Sequence, residues 1–402
     1  MISFSIFFNY IDPGTGSLII SLISGLLMTF IYTSKDLFYK LMNKFSGRKF
    51  TSLSDFSGKL VFFSEGQRYW NVFEPVILKL IEDKQPFVYL TADKNDQGLS
   101  VDHDFCEAHF IGNINQAIGV LNVLKAAMCV MTTPQLNVVS LKRSKNVKHY
   151  SHLIHSPTDI HAYKKFAFDY FDSVLCSSSF QIDNLRKLEE NRSSKRKVLL
   201  ETGCTYYDNY KLEAAQERDS ILVAPTWGDK SFFSIHGQKT LKLLLNAGFK
   251  IIYRPHPQSW ISDKILLESI LEEFSDHSSF SIDREISNEN SISKSFLMIC
   301  DMSGVVYDFA FTQKKPVMAF NFSWDDGGYE SSDIEKETST ILLLNDIGKV
   351  FSSDNLDNLI NDVKELKEKN ITDQIINKHI YNFRKSGSVA KDQILSIYKD
   401  LE

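Results

Sequence analysis

Two parallel β-sheets with helices on their faces, preceded by a membrane-anchoring helix, is the α/β architecture the sequence predicts for this 402-residue chain. Three observations carry the prediction. Short apolar runs alternate with helical patterns along most of the length, the mark of strand–loop–helix units and so of parallel sheets. The alternation comes in two series, separated by a polar stretch around Asn209 to Asp219. Residues 17–32 hold no charged side chain at all.

The N-terminal run reads Leu18-Ile19-Ile20-Ser21-Leu22-Ile23-Ser24-Gly25-Leu26-Leu27-Met28-Thr29-Phe30-Ile31, after the turn signal Asp12-Pro13-Gly14-Thr15-Gly16. It is slightly short of the ~20 residues that span a bilayer, and extension through Thr33 and Ser34 brings it close. Lys35, Lys40, Lys44, Arg48 and Lys49 follow it and no basic residue precedes it. The positive-inside rule then places the rest of the chain in the cytoplasm, at the inner membrane face. A cleaved signal peptide fits less well, because the basic flank is on the wrong side. A buried core helix and a monotopic hairpin hinged at Asp12-Pro13-Gly14 are the other readings.

The first series comes next. Lys59–Phe63, Phe87–Leu90, Ala108–Ile111, Ala127–Met131, Ser173–Cys176 and Lys197–Leu200 read as strands. Tyr69–Asp83, Asn115–Lys125 and Gln181–Glu190 read as helices. The second series has strands at Ser220–Ala224, Lys250–Tyr253, Phe296–Cys300 and Pro316–Phe320, with helices at Lys239–Ala247 and Val305–Phe311. Leu356, Leu359, Ile360, Val363 and Leu366 form a helical packing stripe. The divisions are 1–50 for the anchor and its basic flank, 51–212 for the first domain and 213–402 for the second, which ends in C-terminal helices.

Composition narrows function. Apolar residues make up 43% and charged residues 24%, enough for a sizeable core, and the net charge of −5 gives no basic field for nucleic acid. Five scattered cysteines without CxxC spacing argue for a reducing compartment and against a zinc site or disulfide framework. P-loop, nucleophile-elbow and zincin patterns are absent from the sequence.

The chemistry-bearing residues fall where strands end, which is where ligands sit in such folds. His152-Leu153-Ile154-His155-Ser156-Pro157-Thr158-Asp159, with His161 beyond, offers a base for an attacking hydroxyl, and Asp159 is the local carboxylate to orient it. A solvated loop with incidental histidines is the plain alternative. Arg254-Pro255-His256-Pro257 is a stiffened loop whose arginine and histidine suit phosphate oxygens; a rigid strand-exit turn is its plain alternative. Asp301-Met302-Ser303-Gly304-Val305-Val306-Tyr307-Asp308 enters a helix, so Ser303 and Gly304 would present donors to an anion, or Ser303 is simply a cap. Ala224-Pro225-Thr226-Trp227 offers Thr226 as a phosphate or hydroxyl contact, with Trp227 as packing.

The APTW, RPHP and DMSGVVYDFA stretches, in that order and followed by Lys315-Pro316-Val317, resemble the CDP-glycerol glycerophosphotransferases, the teichoic-acid-type primases and polymerases. The resemblance covers roughly residues 150–330. It implies two Rossmann-like domains around a cleft, as in GT-B transferases, the first for the acceptor and the second for the donor nucleotide. It implies attack of an acceptor hydroxyl on the β-phosphorus of a CDP-alcohol, with CMP leaving. On it His155 is similar to the general base, His256 to the phosphate-binding histidine, and Ser303, Gly304 and Asp308 to donor-site residues; Asp301 opens the same motif. Two places depart from the family pattern. His155-Ser156-Pro157-Thr158 stands for His-Gly-Thr, and Asp301-Met302-Ser303-Gly304 for Asp-Tyr-Ser-Ser.

The expected function is transfer of an alcohol phosphate from a CDP-linked donor to a lipid-linked or glycan acceptor in cell-surface polymer synthesis. No cofactor is required, and a divalent ion on the donor pyrophosphate stays open. The expected partners are the CDP-alcohol, the acceptor and the membrane, with no nucleic acid. A sugar-nucleotide glycosyltransferase of surface polysaccharide synthesis is the rival enzyme, and a non-catalytic membrane-tethered nucleotide-binding scaffold the rival outside catalysis.

Overall fold

A computed structural model describes residues 53–401 except 211–217, 229–230, 286–287, 302, 321–326, 335–337 and 352, with 353–355 described by backbone only. The chain separates into residues 1–55 and 56–402, and the second unit carries the hydrophobic cores. The expected membrane run at 17–32 and the first domain boundary lie outside the described residues, as does the boundary at 212/213. Among the described residues no helix is long and apolar enough to cross a membrane.

The first sheet is built from β1 (Asp55–Ser64), β2 (Phe87–Thr91), β3 (Cys106–Phe110), β4 (Lys125–Met131), β5 (Val147–Leu153), β6 (Ser173–Cys176) and β7 (Val198–Glu201). Their order is β3-β2-β1-β4-β5-β6-β7. The second sheet has β8 (Ser220–Ala224), β9 (Lys250–Tyr253), β10 (Phe280–Ile282), β11 (Ser295–Asp301), β12 (Val317–Phe320) and β13 (Lys349–Phe351), in the order β10-β9-β8-β11-β12-β13. The strand pairs whose register is defined are all parallel. Each sheet reverses its winding once, between β1 and β4 and between β8 and β11. A crevice opens at such a point beyond the strands' carboxyl ends.

Strands beside those switch points are covered on both faces, so they need apolar side chains throughout. Leu60 to Phe63 and Leu222 to Val223 are accordingly buried, as are Leu297 to Cys300. Such runs are easy to read in a sequence. β5 is not: its Val-Lys-His-Tyr-Ser-His-Leu looks like a loop. Two of its polar side chains find lateral partners on β6. His149 Nε2 lies 2.9 Å from Ser173 Oγ, and Ser151 Oγ lies 2.5 Å from the same hydroxyl. β10 and β13, three residues each, were likewise unforeseen, and β3 starts two residues before the expected Ala108.

The helices are α1 (Trp70–Glu82), α2 (Ile114–Leu121), α3 (Ser179–Asn191), α4 (Phe232–Asn246), α5 (Ser259–Ser262), α6 (Lys264–Phe274), α7 (Glu289–Ser293), α8 (Val305–Gln313), α9 (Ser339–Ile347), α10 (Leu359–Lys367), α11 (Asp373–His379) and α12 (Ser386–Lys399). α10 carries the expected stripe, with Leu359, Val363 and Leu366 buried in the core of the second sheet. The last helix corrects the expected division at 213–402, because α12 packs on the first half. Ala390, Ile394, Leu395 and Tyr398 share a core with Trp70, Phe73 and Ile77 of α1. Gly387 allows the approach, since a Cβ there would sit 2.6 Å from the Cβ of Pro75. Tyr398 donates its hydroxyl to Gly58 O at 2.7 Å, and Lys391 pairs with Asp83 at 2.5 Å.

A strap from the second half, residues 327–334, lies on the first. Glu330 N donates to Tyr163 O at 2.9 Å and Lys165 N to Gly328 O at 3.0 Å. Arg192 at the end of α3 then gathers Glu330, Asp333 at 2.8 Å and Asp169 at 2.7 Å. Glu330 is fully buried. Removing one partner from a buried ion pair costs about 3–5 kcal/mol, so this cluster fixes the strap.

Candidate active site

β5 ends at Leu153, and its continuation carries His155 out at the carboxyl edge of the first sheet. The loop that follows is clamped by α3. Gln181, fully buried in that helix's first turn, donates from Nε2 to Ser156 O at 3.2 Å and to Thr158 O at 2.6 Å. Ser177 Oγ also donates to Ser156 O, at 3.3 Å. The helix itself is started by Ser178, whose hydroxyl accepts from Gln181 N.

The His155 ring is enclosed by aromatic residues. Tyr69 meets it edge-on at 5.3 Å between centroids, and the Tyr163 hydroxyl is 3.3 Å from its Nδ1. Burial pushes the pKa of His155 below the ordinary 6.5; Glu65 opposes this and Arg68 adds to it. The imidazole is therefore neutral at pH 7, the form that accepts a proton. Its neighbour His152 is fully buried against Phe168 and Phe171, and burial takes it to about 3, so it carries no charge.

The second sheet presents a cavity of about 300 Å³ at the carboxyl ends of β8 and β9, lined by Thr226, Arg254, His256, Asn288 and Ser303 among others. His256 takes the amide proton of Gln258 on Nδ1 at 3.1 Å. With Nδ1 accepting, the neutral ring carries its proton on Nε2, as a donor. Burial lowers its pKa and Asp263 raises it. Trp227, half exposed, lies beside it at 6.4 Å.

The two halves meet at Gly304. A Cβ on that residue would lie 3.7 Å from Thr158 Cγ2 and 4.0 Å from Ser156 Oγ. The loop that follows His155 thus runs close to the turn that brings Ser303 to the cavity, with room for about one methyl group between them.

Residues 130–388, more than half of the chain, match the family of CDP-glycerol:poly(glycerophosphate) glycerophosphotransferases. The chain belongs to that family. This glycerophosphotransferase is accordingly an enzyme that moves glycerol phosphate from CDP-glycerol in polymer synthesis. No curated protein matches its sequence. Among solved structures it resembles the wall teichoic acid polymerase TagF in a CDPG-soaked form, at 16% identity over 92% of this chain and 97% of that one, with a TM-score of 0.50. It also resembles a putative UDP-N-acetylglucosamine 2-epimerase from Listeria monocytogenes, at 13% identity over 86% and 97%, TM-score 0.55. The UDP-GlcNAc 2-epimerase from Methanocaldococcus jannaschii follows at 13% identity over 85% and 99%, TM-score 0.52. These likenesses show the α/β fold with two parallel sheets in its GT-B-like form.

Several residues singled out in the glycerophosphotransferase sequence sit differently from the expectation. Asp159 does not meet the Nδ1 of His155. One of its oxygens lies 3.0 Å from His161 Nδ1 and the other takes Ser339 N at 2.8 Å, so it ties the loop to the start of α9. Arg254 turns to Asp283 at 2.5 Å and to Glu285 O at 2.9 Å, bracing the loop after β10 while still lining the cavity. Asp301 is buried with both oxygens on backbone amides, Phe232 N at 2.8 Å and Thr226 N at 2.7 Å. It shapes the loop after β8 and does not line the cavity. Asp308 takes the Tyr207 hydroxyl at 2.8 Å, and burial raises its pKa to about 6 while Tyr207 lowers it. Thr226, His256 and Ser303 remain on the cavity wall.

Sequence reading missed Glu65, Arg68, Tyr69, Tyr163 and Gln181. Glu65 follows β1 at the switch point, a position that topology alone marks. Tyr163 and Gln181 carry no local signal, because loop closure and helix docking bring them in. Among the described residues no cluster of His, Cys, Asp or Glu could hold a metal ion.

Proposed function

We propose that His155 is the base that activates an acceptor hydroxyl, and that Thr226, His256 and Ser303 hold the diphosphate of the CDP-linked donor. The proximity of Gly304 to Ser156 and Thr158 supports this reading: a Cβ built there would come within 3.7 Å of Thr158 Cγ2 and 4.0 Å of Ser156 Oγ, beside Ser303 on the cavity wall. The acceptor oxygen attacks the β-phosphorus, its proton passes to Nε2 of His155, and the bond from that phosphorus to the bridging oxygen breaks. CMP leaves with the bond pair and a phosphodiester forms. A buried neutral imidazole suits the first task. An Nε2–H donor with backbone and hydroxyl donors beside it suits the growing charge on the leaving phosphate.

Residues to 212 would then serve the acceptor, and those from 213 through α11 the donor. The acceptor is a lipid-linked or glycan hydroxyl at the cytoplasmic face of the inner membrane, in line with the uncharged run at 17–32 and its basic flank. The deciding experiment incubates the full chain with CDP-glycerol and, separately, with UDP-sugars, in the presence of membranes. CMP release from the first supports the reading. Release of UDP from the second without CMP release replaces it with glycosyl transfer, and nucleotide binding without turnover replaces it with a scaffold.

A further inference from the structure

The geometry points to Tyr163 as the residue that positions His155 and sets which of its ring nitrogens carries the proton. This inference rests on the reading of His155 as the base.

For Nε2 to accept a proton, Nδ1 must already hold one, and an isolated imidazole prefers the opposite tautomer. The partner at Nδ1 decides the matter. Among the described residues that partner is the Tyr163 hydroxyl, at 3.3 Å. Asp159, four residues from His155, is taken up by His161 and Ser339. A phenol hydroxyl both donates and accepts; the reading of His155 as the base requires that its oxygen accept from Nδ1–H, and unlike a carboxylate it then adds no negative charge. It therefore holds the ring without stabilising the imidazolium, and the base stays weakly basic and neutral in its pocket.

Tyr163 is itself fixed from three sides. Its ring packs at 4.9 Å from Phe168 and 6.2 Å from His152. Its amide donates to Ile160 O at 3.0 Å, and its carbonyl accepts from Glu330 N at 2.9 Å. Burial pushes its phenol well above the ordinary 10, so it stays protonated. The carbonyl contact joins the orienting residue to the strap from the second half, so the base is oriented where the halves are clasped. The charged and titratable groups around the His155 ring are Glu65, Arg68, Tyr69 and His152.

The test is ¹⁵N spectroscopy of the histidine ring nitrogens in the full-length protein at about pH 8, above the ordinary histidine range. His155 is assigned by its loss in His155→Ala. The unaltered protein should show His155 protonated on Nδ1, and Tyr163→Phe should revert it to Nε2–H. In the same variant CMP release at saturating donor should fall about 10–100-fold, with the KM for CDP-glycerol within about twofold, as expected when only the proton step is impaired. Nε2 protonation in the unaltered protein overturns the inference whether or not the variant folds. So does a Tyr163→Phe enzyme of full turnover while His155→Ala is inactive. A fully active His155→Ala removes instead the reading of His155 as the base.

Discussion

His155 and His256 both stand just beyond the carboxyl ends of parallel strands, yet their surroundings differ in kind. His155 is enclosed by Tyr69 and Tyr163 on a loop clamped by Gln181 and Ser177. His256 sits in a stiff Pro-flanked turn, open to the cavity, with its Nδ1 closed by the next amide but one. Enclosure depresses basicity and fixes direction, which serves proton transfer. Openness with a preset donor serves a ligand that arrives already charged. On the proposed reading, the same residue type on the same kind of strand end is given two tasks by its packing neighbours.

Substitution should separate the two sides. The largest effect is expected for His155→Ala: CMP release should fall by at least about 10²-fold, the scale of a positioned base, with little change in donor KM. An equal rise in KM would erase the distinction. His256→Ala should do the reverse, raising the donor KM about 10-fold or more, the scale of one hydrogen bond to a charged group. Steady-state assays over donor concentration read both.

The pH dependence sharpens the contrast. Burial lowers the pKa of His155 below 6.5, so the acid limb of kcat/KM should fall below that value. Glu65, which follows β1, is the group that opposes the shift, so Glu65→Gln should move the limb further down. A limb above 6.5 would contradict the enclosed, neutral base.

A smaller effect is expected where the halves meet. The carboxyl of Asp308 has a folded pKa of about 6, above its ordinary 3.8. A raised acid favours folding below the ordinary value, and that advantage is lost as pH rises through about 6. Asp308→Asn should therefore gain in Tm relative to the unaltered protein between pH 5 and pH 7, as thermal unfolding at the two ends of that window (about 5 and about 7) would show. The least effect is expected for Asp283→Asn, which frees Arg254 from its brace. If Arg254 mainly supports the wall, donor KM should change by only a few-fold; a large change would move the arginine into the phosphate-binding role its motif suggests.

Much of this was legible in the chain. Strands of Leu, Ile, Val and Phe flanking a switch point advertise themselves, because burial on both faces demands apolar runs. The residues at their carboxyl ends were found for the same reason. β5 escaped because two of its polar side chains, His149 and Ser151, meet Ser173 on a neighbouring strand, a partner that no local pattern reveals. C-terminal helices were expected, but the packing of α12 on the first half was not, because its partner, α1, lies more than three hundred residues earlier.

The sequence alone determined the two parallel sheets and the loops that carry His155, His256 and Ser303, because backbone periodicity and turn chemistry are local. The tertiary structure decided what the charged residues of those motifs hold on to. Asp159, Asp301 and Arg254 all looked suited to chemistry, and each is held by a partner distant in sequence. A charged group inside a protein goes to whichever donor or counter-ion relieves its desolvation, and only the folded chain determines which one that is.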